Sequence, residues 1–250
     1  MALRLPGTTS ADERHTSWVR VAERIYHEQV SQGWRHQVFR LVRAVFSTNQ
    51  PLSDEGGFLF NWVAENYVDS ALMCLRRELD VQAGTENLRN LLEDIAQHPE
   101  VLTRLRYVAQ WPSVEAGRAS DVFDSFSPKR VPGSPAADHI DPTQVRADLD
   151  QLVADADRLR VYAERTRAHR TPDQGIDESV TFRDLHAAIG DVRRVVGKYY
   201  ALLTLRSVVE WEPVAQYDTI APFTKAWVKD GSAVARAIEA DKDADQGPEA

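Results

Sequence analysis

Two long stretches in the second half of the chain repeat apolar residues with the period of an α-helix. In the first, 142 to about 170, they fall at steps of four and three, at Val145, Leu149, Leu152, Ala156, Leu159 and Ala163. In the second, 182 to about 205, they fall at Phe182, Leu185, Ile189, Val192, Val196, Tyr199 and Leu203. Apolar seams of this kind are buried against another helix. Because only about ten residues join the two seams, they predict a long antiparallel C-terminal helix pair.

The N-terminal part of the chain carries further helix signals. Ser10 followed by Glu13 is typical of a capping box and predicts a helix over 10–31. Gly33 predicts a break or kink, after which the helical pattern resumes over 34–47. The chain is therefore expected to be helical on both sides of this glycine.

The remaining segments complete an all-helical pattern. Residues 58–80 are the most apolar and predict a central, largely buried helix. Residues 112–140 contain four prolines and predict a long, partly mobile excursion. No stretch alternates with the period of a strand and no repeat occurs, so the predicted fold is all-α. Three parts follow: an N-terminal helix at 1–33, a helical domain at 34–230, and a partly disordered acidic tail at 231–250.

Charge, cysteine and histidine content exclude several kinds of site. The net charge of −8 argues against non-specific nucleic-acid binding over the whole surface, although it allows a local basic site. Cys74 is the only cysteine, so no intramolecular disulfide is expected, and its apolar neighbours predict a buried, unreactive thiol. Metal-ligand spacing is absent among His15, His27, His36, His98, His139 and His186, so neither a metal nor a cofactor is predicted. Without a secretory signal or a membrane-spanning apolar run, the sequence predicts a cytoplasmic protein.

A cluster of cations lies at the C-terminal end of the first seam, although the chain as a whole is negatively charged. Residues 165–170 read Arg-Thr-Arg-Ala-His-Arg, and steps of four or three back from His169 give Arg165, Tyr162 and Arg158. A histidine can pass a proton in either direction, and a guanidinium can hold a phosphate through two hydrogen bonds. This stripe therefore suits metal-independent RNA cleavage, in which the 2′-hydroxyl attacks its own phosphate. Spacing by itself favours a different interpretation, a solvated helix end whose cations offset the helix dipole.

Several short motifs occur in an order that resembles one known family. They are Phe-Leu-Phe-Asn-Trp-Val at 58–63, Leu-Arg-Arg-Glu-Leu-Asp at 75–80, Asn-Leu-Arg-Asn-Leu-Leu at 87–92, Ala-His-Arg at 168–170 and Thr-Phe-Arg-Asp-Leu at 181–185. Taken in this order, over about 34–230, they resemble the abortive-infection U-type HEPN family. The resemblance implies a HEPN-like helical bundle that forms a homodimer.

The resemblance also implies an activity and a set of residues. Many HEPN proteins are metal-independent endoribonucleases in phage defence, abortive infection or toxin–antitoxin systems, so RNA and an antitoxin protein become expected partners. Their motif has four to six residues between an arginine and a histidine, with a polar residue after the arginine. His169 matches the histidine and Glu164 the polar residue, whereas Ala163 stands at the five-residue spacing for arginine. The motif and the cation stripe together predict His169, Arg165 and Glu164 as catalytic residues, and Arg158, Tyr162, Arg167 and Arg170 as RNA-binding residues.

Two other functions stay open from the sequence. A HEPN module that has lost catalysis would bind RNA, a nucleotide or a partner protein through the same arginines, and salt would weaken that binding. A helical interaction protein without a nucleic-acid role would fit the acidic net charge. RNA cleavage that is lost on replacing His169 would separate the ribonuclease from both.

Overall fold

A computed structural model of the chain describes residues 10–50, 56–82, 84–126, 138–163, 180–208, 210–212 and 236–237. These residues form seven α-helices: α1 (Ala11–Thr48), α2 (Gly57–Glu78), α3 (Leu88–Gln97), α4 (Arg104–Ala109), α5 (Ala116–Phe126), α6 (Pro142–Ala163) and α7 (Phe182–Thr204). Short 3-10 helices, Pro99–Val101 and Ser113–Glu115, lie on either side of α4, and the described residues contain no strand. The predicted all-α fold is confirmed. No helix in the described ranges has the length and apolar character to span a membrane.

The chain divides into two compact units. The larger comprises Met1–His36 and Ala64–Pro213, and the smaller comprises Gln37–Val63 and Val214–Ala250. Helices α1 and α2 therefore contribute to both units, while α3 to α7 belong to the larger one.

Each unit has its own apolar contacts. In the larger unit, α3 packs on α6 and α6 packs on α7, around buried side chains that include Leu92 and Leu152. In the smaller unit, the ring of Phe60 contacts those of Phe39 and Phe46.

The antiparallel pair predicted near the C-terminus is confirmed as α6 and α7. All the predicted seam positions of α6 are buried, as are all but the first of those of α7. Asp148, early in α6, accepts hydrogen bonds from Lys198 at 2.5 Å and from the Tyr199 hydroxyl at 2.8 Å, both late in α7. Thr181 and Asp184 form the predicted capping box at the start of α7. Local periodicity thus predicts this part of the fold well.

Helix α1 differs from expectation at Gly33. Its start is as predicted, because the Glu13 N–H donates to the Ser10 hydroxyl at 3.2 Å and the Ser10 N–H donates to the Glu13 carboxylate at 2.9 Å. The predicted break at Gly33 is wrong, since α1 continues through this residue. The glycine instead allows another backbone segment to pack closely against the helix.

The predicted burial of α2 holds for only part of its length. From Tyr67 onward its inward residues are buried, and burial raises the pKa of the Cys74 thiol to about 11. This thiol stays protonated at neutral pH, which agrees with the predicted unreactive cysteine. The first turns differ, because Phe58 is 86% exposed and Trp62 is 56% exposed. An apolar pattern that covers most of a helix does not show which end lies outside the core.

The stretch 112–140, predicted as a long excursion, contains helix α5. Ala119 and Phe123 lie one helical turn apart and are both buried, and α5 packs against α4. Arg104 of α4 pairs with Asp124 of α5, which ties the two helices together. So short an apolar pattern between prolines gives little sign of a helix in the sequence.

Candidate acid–base site

Most of the site predicted from the sequence lies outside the described residues. This applies to Glu164, Arg165, Arg167, His169 and Arg170, whose convergence stays a prediction. Of the other two residues, Arg158 is exposed and Tyr162 is partly buried, both near the end of α6. The pKa of Asp184, at the start of α7, is lowered mainly by hydrogen bonds from Thr181. The positive charge of Arg158 lowers it further.

A different group of polar side chains meets where α1, α2 and α7 come together. The ring centroids of His36 and His186 lie 4.6 Å apart, and each lies 5.9 Å from that of Tyr67. The carboxylate of Glu212 contacts His36, and the exposed ring of Phe182 lies 6.2 Å from His186. We call His36, Tyr67, His186 and Glu212 the histidine cluster.

The two histidines of the histidine cluster are held by different partners. Nδ1 of His36 lies 2.7 Å from Oε1 of Glu212, and Nε2 of His186 lies 2.9 Å from the Tyr67 hydroxyl. Because a carboxylate only accepts hydrogen bonds, Nδ1 of His36 carries a proton, and the lone pair of the neutral ring lies on Nε2. His36 therefore has the arrangement of a base that a carboxylate orients.

Tyr67 acts as a protonated phenol at neutral pH. Burial raises the pKa of Tyr67 to about 12, although the positive charge of Arg193 opposes the shift and the negative charge of Glu212 adds to it. A phenol can donate to the neutral ring of His186 or accept from the charged ring, so it holds this ring in either state. The His36 side chain is 23% exposed and His186 is partly exposed, so a ligand can reach both.

The segment after α7 brings Glu212 to the histidine cluster. Helix α7 ends at Thr204, and the left-handed conformation of the next residue, Leu205 (φ 59°), turns the chain. The backbone of Trp211 then packs against α1 at Gly33, where an added Cβ would stand 2.0 Å from the Trp211 carbonyl oxygen. No side chain fits in that space, so this close approach requires a glycine.

Replacing Gly33 by alanine is expected to destabilise the protein, although alanine ordinarily favours a helix over glycine. The methyl group displaces the Trp211 backbone and draws Glu212 away from His36, and overpacking of this kind costs about 1–3 kcal/mol. Urea unfolding measures the change. Gly190→Ala is the matched control, because a Cβ added at Gly190 of α7 would meet open space, so a gain of about 0.5–1 kcal/mol is expected. Equal stabilisation by both substitutions would contradict the contact at Gly33.

Reasoning from the sequence missed the histidine cluster because its members are far apart along the chain. His36 lies in α1 and His186 in α7, and neither forms a recognised ligand or catalytic spacing with a neighbour. One signal was present on α7, where His186 and Arg193 lie two helical turns apart on one face, beside the apolar seam. A polar line beside a buried seam indicates side chains that meet another helix.

Comparisons with protein-family models, with curated proteins and with solved structures found no match to this chain. Within the described ranges, no group of three His, Cys, Asp or Glu side chains is arranged to hold a metal ion. The chemistry of the histidine cluster is therefore the main structural guide to function.

Proposed function

We propose that this protein is a metal-independent endoribonuclease in which His36 is the general base and His186 the general acid. The observation that carries the proposal is the pair of imidazole rings 4.6 Å apart, one oriented by a carboxylate and the other by a phenol. Phosphodiester transfer in RNA needs one group that removes a proton and another that supplies one. Two histidines with unlike partners suit these two roles.

In the proposed reaction, Nε2 of His36 removes the proton of the RNA 2′-hydroxyl. The 2′-oxygen attacks the adjacent phosphorus, the bond from phosphorus to the 5′-oxygen breaks, and this oxygen takes a proton from His186. The products are a 2′,3′-cyclic phosphate and a 5′-hydroxyl end. Glu212 offsets the positive charge that His36 gains, and the Tyr67 hydroxyl keeps the His186 ring in position as its proton leaves.

The surroundings of the histidine cluster suit a single strand of RNA. Phe182 is 39% exposed beside His186, and an exposed aromatic ring is a platform on which a base can stack. Bases in a duplex are already stacked and paired, so this platform favours unpaired nucleotides. We therefore expect single-stranded RNA to be the preferred substrate.

The resemblance to the HEPN family supports the same reaction and adds a biological setting. It supports phage defence, abortive infection or a toxin–antitoxin pair in the cytoplasm, with a second copy of the chain and an antitoxin as partners. It places catalysis at 164–170 rather than at the histidine cluster. The alternative function is a HEPN module that binds RNA, a nucleotide or a partner protein through Arg158 and the arginines at 165–170 without cutting.

The proposal is tested with purified protein and a labelled single-stranded RNA in excess EDTA. We expect cleavage to 2′,3′-cyclic phosphate ends, and no cleavage of the same strand with 2′-O-methyl sugars, which lack the nucleophile. Intact RNA that is nonetheless retarded on a gel at moderate salt would favour the binding-only alternative. If the protein neither cuts nor binds the RNA, both the ribonuclease and an RNA-binding form of the alternative are excluded.

A further inference from the structure

Arg193 is a partly buried cation without a salt-bridge partner in the described part of the chain. Its Nη2 donates to the Gln29 carbonyl at 3.3 Å and its guanidinium lies 5.9 Å from the centroid of the Trp211 ring. Its Nε is buried and has no hydrogen-bond partner. Burial lowers the pKa of Arg193, and the negative charge of Glu212 opposes this shift only in part. Such a buried charge is costly unless an anion compensates it.

Gln32 offers a second unused donor in the same region. Its side chain is fully buried, and its Oε1 accepts hydrogen bonds from the Ser70 hydroxyl at 3.2 Å and from Arg35 Nη1 at 3.4 Å. Because Arg35 can only donate, these contacts fix the orientation of the amide. The remaining Nε2 has no partner. Both unsatisfied groups are therefore donors, and together they match a ligand that only accepts hydrogen bonds.

Helix geometry places these donors next to the histidine cluster. Gln32 precedes His36 by one turn of α1, a rise of about 6 Å. Helical side chains lean toward the N-terminus, so Arg193 extends along α7 in the direction of His186. Its Nη2 would stand 3.2 Å from a Cβ added at Gly33, which is at the level of Gln32. Gln32 thus lies about one helical turn from His36, and the Arg193 guanidinium extends toward His186 from two turns along α7.

We propose that Arg193 and Gln32 form an oxyanion site that binds a phosphate group. Arg193 is partly exposed, so the anion enters at the guanidinium, with the buried amide of Gln32 lining the inner wall. The inference rests on the proposed function in taking this phosphate to belong to RNA, since a free phosphate compound presents the same oxygens. Held there, the phosphate lies beside the histidines, and the guanidinium offsets the charge that develops on it during attack.

Inorganic phosphate is the first probe, because it carries neither base nor sugar. It should raise the melting temperature of the parent protein as the site fills. Arg193→Met should abolish this rise, while the ligand-free variant is at least as stable as the parent because a poorly compensated charge is gone. Arg194→Met is the matched control, since Arg194 is the next residue of α7, is exposed, and pairs with Asp191 at 3.5 Å. Its response to phosphate should equal that of the parent.

A second variant keeps the test decisive if Arg193→Met folds poorly. Gln32→Glu preserves the size of the side chain but sets a carboxylate against the anion, so phosphate affinity should fall by at least about 10-fold at pH 8. Parent-like phosphate affinity in Gln32→Glu, or in a folded Arg193→Met, would overturn the oxyanion site.

The source of the phosphate is separated by competition, and cleavage is a separate readout. A 2′-O-methyl RNA strand that displaces phosphate identifies RNA as the ligand, whereas displacement by a mononucleotide alone would assign the site to free nucleotides. Phosphate binding through Arg193 without RNA cleavage would leave the oxyanion site standing and remove the ribonuclease. If Arg193→Met and Gln32→Glu keep full phosphate affinity and still cut RNA, the oxyanion site is removed and the ribonuclease stands.

Discussion

Replacing His186 by alanine is expected to lower the rate of RNA cleavage by about 10²–10⁴-fold, the usual contribution of a general acid or base. The loss should fall on kcat rather than KM, because the proton is transferred only as the reaction proceeds. His36→Ala should cause a loss of similar size. His27→Ala is the matched control, since His27 is exposed on α1 and outside the histidine cluster, and it should cleave at the parental rate.

An activated substrate separates the roles of the two histidines. A nucleoside 3′-phosphate ester of p-nitrophenol has a leaving group that departs without a proton, so its cleavage needs a base but no acid. With this substrate, His186→Ala should regain most of its lost rate, while His36→Ala stays slow. Equal defects of the two variants with both substrates would contradict the assignment of base and acid.

The same assay compares the histidine cluster with the site predicted from the sequence. If His169→Ala abolishes cleavage while His36→Ala and His186→Ala cut at the parental rate, catalysis lies at 164–170, as the HEPN resemblance implies. If only the variants at 36 and 186 lose activity, catalysis lies at the histidine cluster. Loss in all three would indicate one site to which both regions contribute.

Glu78→Gln is expected to make the protein markedly more stable at alkaline pH. Glu78 is buried in α2, and its pKa is raised to about 8 by burial and by a hydrogen bond with the Glu28 carboxyl. One Glu78 oxygen, Oε2, accepts from the Leu88 N–H at 3.0 Å at the start of α3. The protonated acid thus donates to Glu28 and accepts from Leu88. A glutamine reproduces both hydrogen bonds without a charge.

The direction of the pH effect follows from linkage. The folded protein holds the proton of Glu78 up to about pH 8, whereas the unfolded chain releases it near pH 4.5. The contribution of this group is therefore complete below pH 4.5 and is lost as the pH rises to about 8. At about 1.4 kcal/mol for each pKa unit, the loss approaches roughly 4–5 kcal/mol.

Urea unfolding at pH 5 and pH 9 measures the effect of Glu78→Gln. The parent should lose stability between these values, and the variant should lose several kcal/mol less. Glu65→Gln is the control, because Glu65 is exposed on the same helix, and its pH dependence should match that of the parent. An identical pH dependence in Glu78→Gln and the parent would rule out a protonated carboxyl at this position.

Much of the helical framework could be predicted from local pattern. The seam positions of α6, such as Leu152 and Leu159, are all buried, because a helix with one apolar stripe has only one way to face a core. The capping box at Thr181 was equally predictable, since both partners lie within one turn. The predicted break at Gly33 was wrong because what a glycine does in a helix depends on what packs against it.

The all-α fold, the antiparallel pair of α6 and α7 and the buried thiol could be read from the sequence, because each follows from the pattern of nearby residues. Which polar side chains meet depends on how the helices pack. The rings of His36 and His186 lie side by side because α1, α2 and α7 pack together. Glu212 reaches His36 because Gly33 lets the Trp211 backbone lie against α1. Contacts between residues far apart in the sequence produce no periodic pattern, so the histidine cluster could be recognised only from the packed structure.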